Sequence, residues 1–583
     1  MKKLFLKQSL LMVVGGLLLV GCFDSKYDFD KVDLTLGFGG DQVALPGNNS
    51  TSAIVLDDLL DIQGSDLIWT DAKGDYWFGK SPETVNPVSV TIDPITLSGD
   101  FSENEYISIT IPEALRPFAG QTVTLSDYGE TIEGSKAISL LNYEFAVPEE
   151  VKSLKYVVLG DNGADLTLNL TIPSAITKFG YITISFPQML EMTCVTKPQD
   201  FDTSTNVLSL RNQSGGNLQL QFKVTRINVR KVDDNNYAEL TAGKFSMKGQ
   251  VQLAFGVDQL RIPSESVITI GGEARMQGIR ITGACGVFDP DINLSSAGTV
   301  TITGIPEFLI DEEVVADLDN PQIYLTLTST MPLGGVIEAQ LTSDTYQGAI
   351  SLTGNKAIRV KASPDGQTPV ETKVLVCRKN PGVSESECQV ITDDNLSRLI
   401  NKLREGMTIR FDINKVKATQ EEATVLMGHQ YTLVPQYRFE APLAFGPNAV
   451  IVYNKSFNGW NEDIDKLSFA TGAFVELKGI AVNQIPADLV LEAEAIGTNG
   501  QKLSDVTIDL VKNKVAGVAT GSSESEVEVK VSGNISKLDG LLIKLKAASN
   551  EALRGVTLNK TTQTLVLKNV GITLNGKLIY DAN

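Results

Sequence analysis

Strict alternation of apolar and polar residues constrains this chain more than any other feature. Leu166, Leu168, Leu170 and Ile172 alternate with Thr167, Asn169 and Thr171; Leu218, Leu220, Phe222 and Val224 alternate with Gln219, Gln221 and Lys223; Val527, Val529 and Val531 alternate with Glu528 and Lys530. A period of two sends every apolar side chain of a segment to one face, as in a half-buried antiparallel strand. Many short segments of this kind, punctuated by 50 glycines in 583 residues, predict a mainly β protein of tandem antiparallel, Ig-like β-sandwich domains rather than α/β layers. At roughly 100–200 residues per domain, the chain has room for several such units.

Local signals refine this picture. Asn575-Gly576 stands between Ile572/Leu574 and Leu578/Tyr580 and reads as a hairpin turn. One short inserted helix is predicted near 393–405: Leu396, Leu399, Ile400 and Leu403 share a helical face, Thr392, Asp393 or Asp394 can cap its start, and Gly406 suits its end. The theme [Ile/Val]-Pro-x-x-apolar recurs at Ile111-Pro112, Val147-Pro148, Ile172-Pro173, Ile305-Pro306 and Ile485-Pro486. Residues 148–157 and 173–182 match as an internal repeat through it. Proline pushes its predecessor to β geometry and removes a ladder donor, so a strand runs up to it and stops. The apolar residue three positions later then folds back over the core, a structural corner rather than a binding code. These signals divide the chain into 1–21, a signal peptide; 22–44, a tether and first strand; sandwiches over 45–195 and 301–465, the latter carrying the helix; a β-rich domain over 196–300; and a C-terminal sandwich over 466–583.

The N-terminus carries an address. Lys2, Lys3 and Lys7 flank the start of an apolar run from Leu10 to Val20, too short to span a bilayer. It closes on Leu19-Val20-Gly21-Cys22. This order resembles the lipobox of bacterial lipoproteins, in which the chain is cut before the cysteine and the cysteine is acylated on its sulfur and its new amine. The resemblance implies that Cys22 carries a covalent lipid, palmitate among its acyl chains, and holds the protein to outer-membrane lipid. Phe23 stands where aspartate resembles an inner-membrane retention signal in Gram-negative lipoproteins, and the acidic stretch through Asp24, Asp28, Asp30 and Asp33 resembles surface-export tags. Both point to the outer membrane and the cell surface. Further on, Asn483-Gln-Ile-Pro486 through Ala493, then Asn499-Gly500 and the segment Leu565 to Tyr580, resemble the last domain of large, uncharacterised exported lipoproteins of anaerobic Gram-negative bacteria. That resemblance implies architecture and address, and no activity.

Charge and chemistry narrow the function. With 70 acidic against 50 basic residues and a net charge of −20, the chain is a poor partner for nucleic acid, whose affinity rests on Lys and Arg neutralising phosphates. His429 is the only imidazole and no G-x-S-x-G is present, so nucleophilic hydrolysis has no recognisable machinery. No catalytic residue, resident cofactor or metal site is expected; C-x-x-C is absent and one histidine cannot complete a zinc set. Cys377 and Cys388 bracket a polar stretch with a Pro-Gly turn in a disulfide-permissive compartment, and a bridge between them is expected. Cys194 and Cys285 have no evident pairing.

Aromatic platforms are the remaining lead. Tyr453, Phe457 and Trp460 are interleaved with Asn454, Asn458, Asn461 and Asp463 in one loop, and Trp69 with Tyr76-Trp77-Phe78 forms a second cluster around a hairpin. Rings that stack on a sugar and amides that orient it make the loop a candidate ligand site, while aromatics at a sandwich edge can equally seal a core. The sequence thus describes a lipid-anchored, surface-exposed, non-enzymatic structural, adhesive or partner-binding protein. The alternatives are a glycan-binding lipoprotein and a carrier of an apolar molecule inside a sandwich.

Overall fold

The computed structural model describes residues 35–45, 53–56, 65–84, 87–95, 101–160, 162–290, 292 and 298–581. Cys22 and the signal segment lie outside them. The protein is mainly β, its described residues forming six sheets that pack together over shared apolar cores. Among the described residues, every strand pair is antiparallel except Val370–Cys377 with Gln389–Thr392. The alternating segments are strands whose register explains their sequence. Ala164–Thr171 lies against Leu218–Asn228 with Leu166 opposite Phe222, Leu168 opposite Leu220 and Leu170 opposite Leu218. These apolar partners point into one core while the intervening Thr, Asn, Gln and Lys point away.

The sheets cut across the sequential boundaries given above, because each sandwich recruits strands from both sides of the next. A terminal domain combines Thr35–Leu45 and Ile54–Val55 with strands from Val450 to Asp581. A middle domain combines Ile68–Thr70, Tyr76–Thr84 and Val88–Thr91 with strands between Thr299 and Pro442. An inserted domain holds Phe101 to Phe288 in two eight-stranded sheets and borrows Ala423–Leu426 at one edge. The chain therefore threads terminal, middle, inserted, then returns through middle to terminal. The blocks 45–195, 196–300, 301–465 and 466–583 missed this because the contributing N-terminal strands are short, and pairing partners hundreds of residues away leave no local mark.

Four of the five proline corners close with one hydrogen bond. The N–H groups of Leu115, Val151, Ile176 and Leu309 donate to the carbonyls of Pro112, Pro148, Pro173 and Pro306 at 2.9–3.0 Å. All four donors are buried, as are the residues before each proline. In the 148–157 and 173–182 repeat, the strands that follow, Val151–Leu159 and Ile176–Ser185, enter the two facing sheets of the inserted domain.

Two local readings change. The predicted helix is a single 3-10 turn, Leu396–Ile400, that still buries Leu396, Leu399, Ile400 and, beyond it, Leu403. Asn575-Gly576 makes no hairpin; both lie inside one 18-residue strand, Thr564–Asp581. The strand is paired on both sides, with Thr35–Leu45 and with Phe474–Asn483. Gly576, at φ +92°, sits beside the irregularity between Gly40 and Val43. Continuous pairing on two edges overrides the turn propensity.

Middle and terminal domains are joined by polar clamps. The carboxylate of Asp319, 11% exposed, receives the guanidinium of Arg378 and that of Arg554 at 2.9 Å. Asn559 donates to Lys73 O and Asp75 Oδ1 and accepts from the N–H groups of Thr561 and Thr562.

Candidate functional site

The loop from Tyr453 to Asp463 proves to be a core element. Val450–Phe457 pairs with Gly540–Ala548, Tyr453 opposite Leu545 and Phe457 opposite Leu541. Gly459, at φ +85°, then turns the chain inward. Trp460 is only 7% exposed and packs among Leu467, Ala495, Val506, Ile535 and Leu538, with Phe457 against the same cluster. Its backbone N–H donates to Asp539 O at 2.8 Å. Asn461 donates from its backbone to Asp539 Oδ1 and from its amide to Ser536 O, and opens a four-residue helix, Asn461–Ile464, that includes Asp463. The ring that would carry a stacked sugar is thus a plug, and the amide meant to orient that sugar is spent on the fold.

The second aromatic cluster divides by face. Tyr76 and Phe78 point into the middle core, and Phe78 meets Phe439 edge-on at 6.0 Å. Trp69 and Trp77 stand directly opposite each other on the outer face, Trp77 half-buried and Trp69 40% exposed. The far edge of the Trp69 indole lies across Gly79: a Cβ there would be 3.0 Å from Trp69 Cη2 and 2.4 Å from Phe439 O. Only glycine leaves room for this overlap. The hairpin behind the pair is held firmly. Gly74 supplies φ +84°. Asp71 Oδ1 accepts from the N–H groups of Asp75 and Lys73 at 3.0 and 2.8 Å. The bond from the Asp75 N–H, with those from Lys73 and the Trp77 side chain, holds the Asp71 carboxyl below the usual carboxylate range.

The same outer face continues across the sheet. Gly79 is opposite Glu440, and Tyr324 is opposite Arg438. Arg438 lies over the Tyr324 ring at 4.2 Å and pairs with Glu440 at 3.4 Å. Beside them opens a groove of about 670 Å³, lined by Tyr324, Lys361, Lys373, Val383, Gln436 and Arg438 among others. Trp69 was legible as an aromatic near a turn. Tyr324, Arg438 and Gln436 were not, since only strand register brings them to its face.

Cys388 forms one wall of this groove and packs with Cys377 and Leu375. The expected bridge is absent, because both thiols are free and buried. The parallel register places Gln389 opposite Val374 and Thr392 opposite Cys377. Cys377 therefore stands three residues, roughly 10 Å, further along the sheet than Gln389, the neighbour of Cys388. Burial, with the nearby Cys388, pushes the Cys377 thiol up to about 11. Cys194 and Cys285 are also free and buried.

His429 is exposed in the turn between Ala423–Leu426 and Gln430–Pro442, edge-on to Tyr431 at 4.9 Å. Among the described residues, no three His, Cys, Asp or Glu side chains gather as a metal site, and no helix is long and apolar enough to cross a membrane. The apolar cavity between the middle domain's sheets, lined by Ile323, Leu341, Phe411, Tyr437 and Phe439, is about 20 Å³. That is room for about one water, not for an apolar cargo.

No family model matches the chain, and no curated protein matches it. Among solved structures, a protein of Parabacteroides distasonis described as secreted is 14% identical with a TM-score of 0.32, covering 51% of this chain and 90% of its own. An archaeal virus protein with a triple jelly roll fold is 9% identical with a TM-score of 0.12, covering 84% of this chain and 91% of its own. At these scores neither similarity bears on fold or function.

Proposed function

We propose that this chain is an exported, lipid-anchored outer-membrane protein that works at the cell surface by binding a partner rather than by catalysis. The observation that carries the reading is the pairing of Thr35–Leu45 with Thr564–Asp581, Thr35 opposite Asp581. Thr35 follows Cys22 by 13 residues, a tether of at most about 45 Å. An anchor at Cys22 keeps the terminal domain beside the membrane, and the nested path carries the middle and inserted domains outward and back. Such a path suits a protein that presents its far domains to solvent. Cys22→Ala is expected to move the protein from the membrane fraction to the soluble one or to leave the signal uncleaved, and protease added to intact cells is expected to degrade the wild type. Normal membrane fractionation and processing of the variant would refute the anchor; full protection of the wild type in intact cells would refute the surface address.

A further inference from the structure

The outer face of the middle domain's larger sheet has the features of a built site. At one end, the Trp69 indole is 40% exposed, backed by Trp77 and lying over the bare backbone of Gly79. An exposed indole on the outer face of a sheet offers the kind of surface on which the C–H face of a sugar ring stacks. It is preorganised, because the hairpin that carries it is tied at its tip to the 557–562 segment through Asn559, through the Tyr76 N–H donated to Leu558 O, and through the Lys560 N–H donated to Gly74 O. Little side-chain or loop freedom remains to be lost on binding.

At the other end, the groove beside Tyr324 is lined by both donors and acceptors. Gln436 is exposed, Arg438 is held over Tyr324, Lys373 pairs with Glu371 at 3.5 Å, and Lys361 and Glu387 also line the opening. With Glu440, three cationic and three anionic side chains balance. On a protein of net charge −20, a balanced groove selects against a strongly charged ligand. Mixed donors and acceptors match hydroxyl groups, which both give and take hydrogen bonds. Pro442 opposite Trp77 and Arg438 opposite Tyr324 fix the spacing. Trp69 lies one strand beyond Trp77, so three strand spacings and four residues along the strand set the platform and the groove roughly 20 Å apart, which calls for a chain of sugars rather than a single one.

We propose that this face binds a neutral oligosaccharide, one sugar stacked on Trp69 and a later one held in the groove by Gln436, Arg438 and Tyr324. The inference rests on the partner-binding reading and gives it a site and a ligand class. The test is native gel electrophoresis of the full-length protein in mild detergent, in gels cast with xyloglucan, mixed-linkage β-glucan, galactomannan or dextran, with polygalacturonate as the anionic control. At least one neutral polymer is expected to retard the wild type. Trp69→Ala and Gln436→Ala are expected to weaken that retardation at least tenfold and threefold, and Trp69→Phe to keep part of it. Gln436 is exposed, so its variant carries the test if Trp69→Ala lowers the thermal transition. Retardation by none of the neutral polymers, by polygalacturonate alone, or undiminished in both alanine variants overturns the proposal; so does capture of a protein partner through Trp69 without polymer binding. Membrane fractionation of the same variants is expected to be unchanged, which separates failure of the sugar site from failure of the anchored, partner-binding reading.

Discussion

Trp460 and Trp69 show how the same residue type takes opposite roles according to what the backbone does next. After Gly459 the chain turns inward, and Trp460 fills the space between Leu467, Val506 and Ile535. Truncating it leaves a cavity as well as lost burial, so Trp460→Ala is expected to cost about 3–5 kcal/mol, read as a fall in the denaturation midpoint. A cost below about 0.5 kcal/mol, as for an exposed site, would mean that the ring is not a core residue. The cysteines make a parallel case. Spacing and compartment favoured a bridge, but register offsets the pair along a parallel ladder. Burial disfavours the thiolate, the species that reacts. Iodoacetamide at mildly alkaline pH is therefore expected to leave Cys377 and Cys388 unmodified in the native protein and to label both in denaturant without reductant. Labelling that requires reductant would restore the bridge.

At the scale of single elements, what was legible was whatever is local. The period-two segments 164–171 and 218–228 became strands with the predicted face inward, while Val527, Val529 and Val531 are half-buried in theirs, and four of the five proline corners closed with the hydrogen bond that their geometry allows. The helix near 393–405 kept its buried face but shrank to one turn, since Leu396–Ile400 only has to bridge the end of Gln389–Thr392 and the start of Met407–Ala418. Asn575-Gly576 was misread for a physical reason. A turn signal states what an isolated segment prefers, and two flanking strands outweigh it. Gly576 is nonetheless required where it stands: φ is +92°, and a Cβ would lie 2.7 Å from the Cβ of Ala473. Gly576→Ala is expected to destabilise the terminal domain by about 1–3 kcal/mol through backbone strain, with an unchanged dependence on denaturant. A neutral effect would mean that the strand can straighten there. The candidate sugar face was least legible of all, since Trp69, Gly79, Arg438 and Tyr324 meet through register alone.

For the whole molecule, nesting makes the two ends of the described chain one structural unit. The strand Thr564–Asp581 pairs with Thr35–Leu45, Ile54–Val55, Leu467–Phe469 and Phe474–Asn483. Removing residues 564–583 therefore strips four strands of a common neighbour and exposes ladder groups and apolar faces together. The inserted domain has its own core, built almost wholly from residues between Val90 and Phe288. Truncation is expected to make the terminal domain susceptible to chymotrypsin at both of its ends, at Leu36 and Phe38 in the first strand as well as beyond Val450, while a fragment spanning about 101–288 survives. Mass spectrometry of the resistant fragments decides the matter. Sequential domains would confine the damage to residues beyond 466 and leave the N-terminal strand protected. Nested domains lose their first and last strands together, because each is the other's hydrogen-bonding partner.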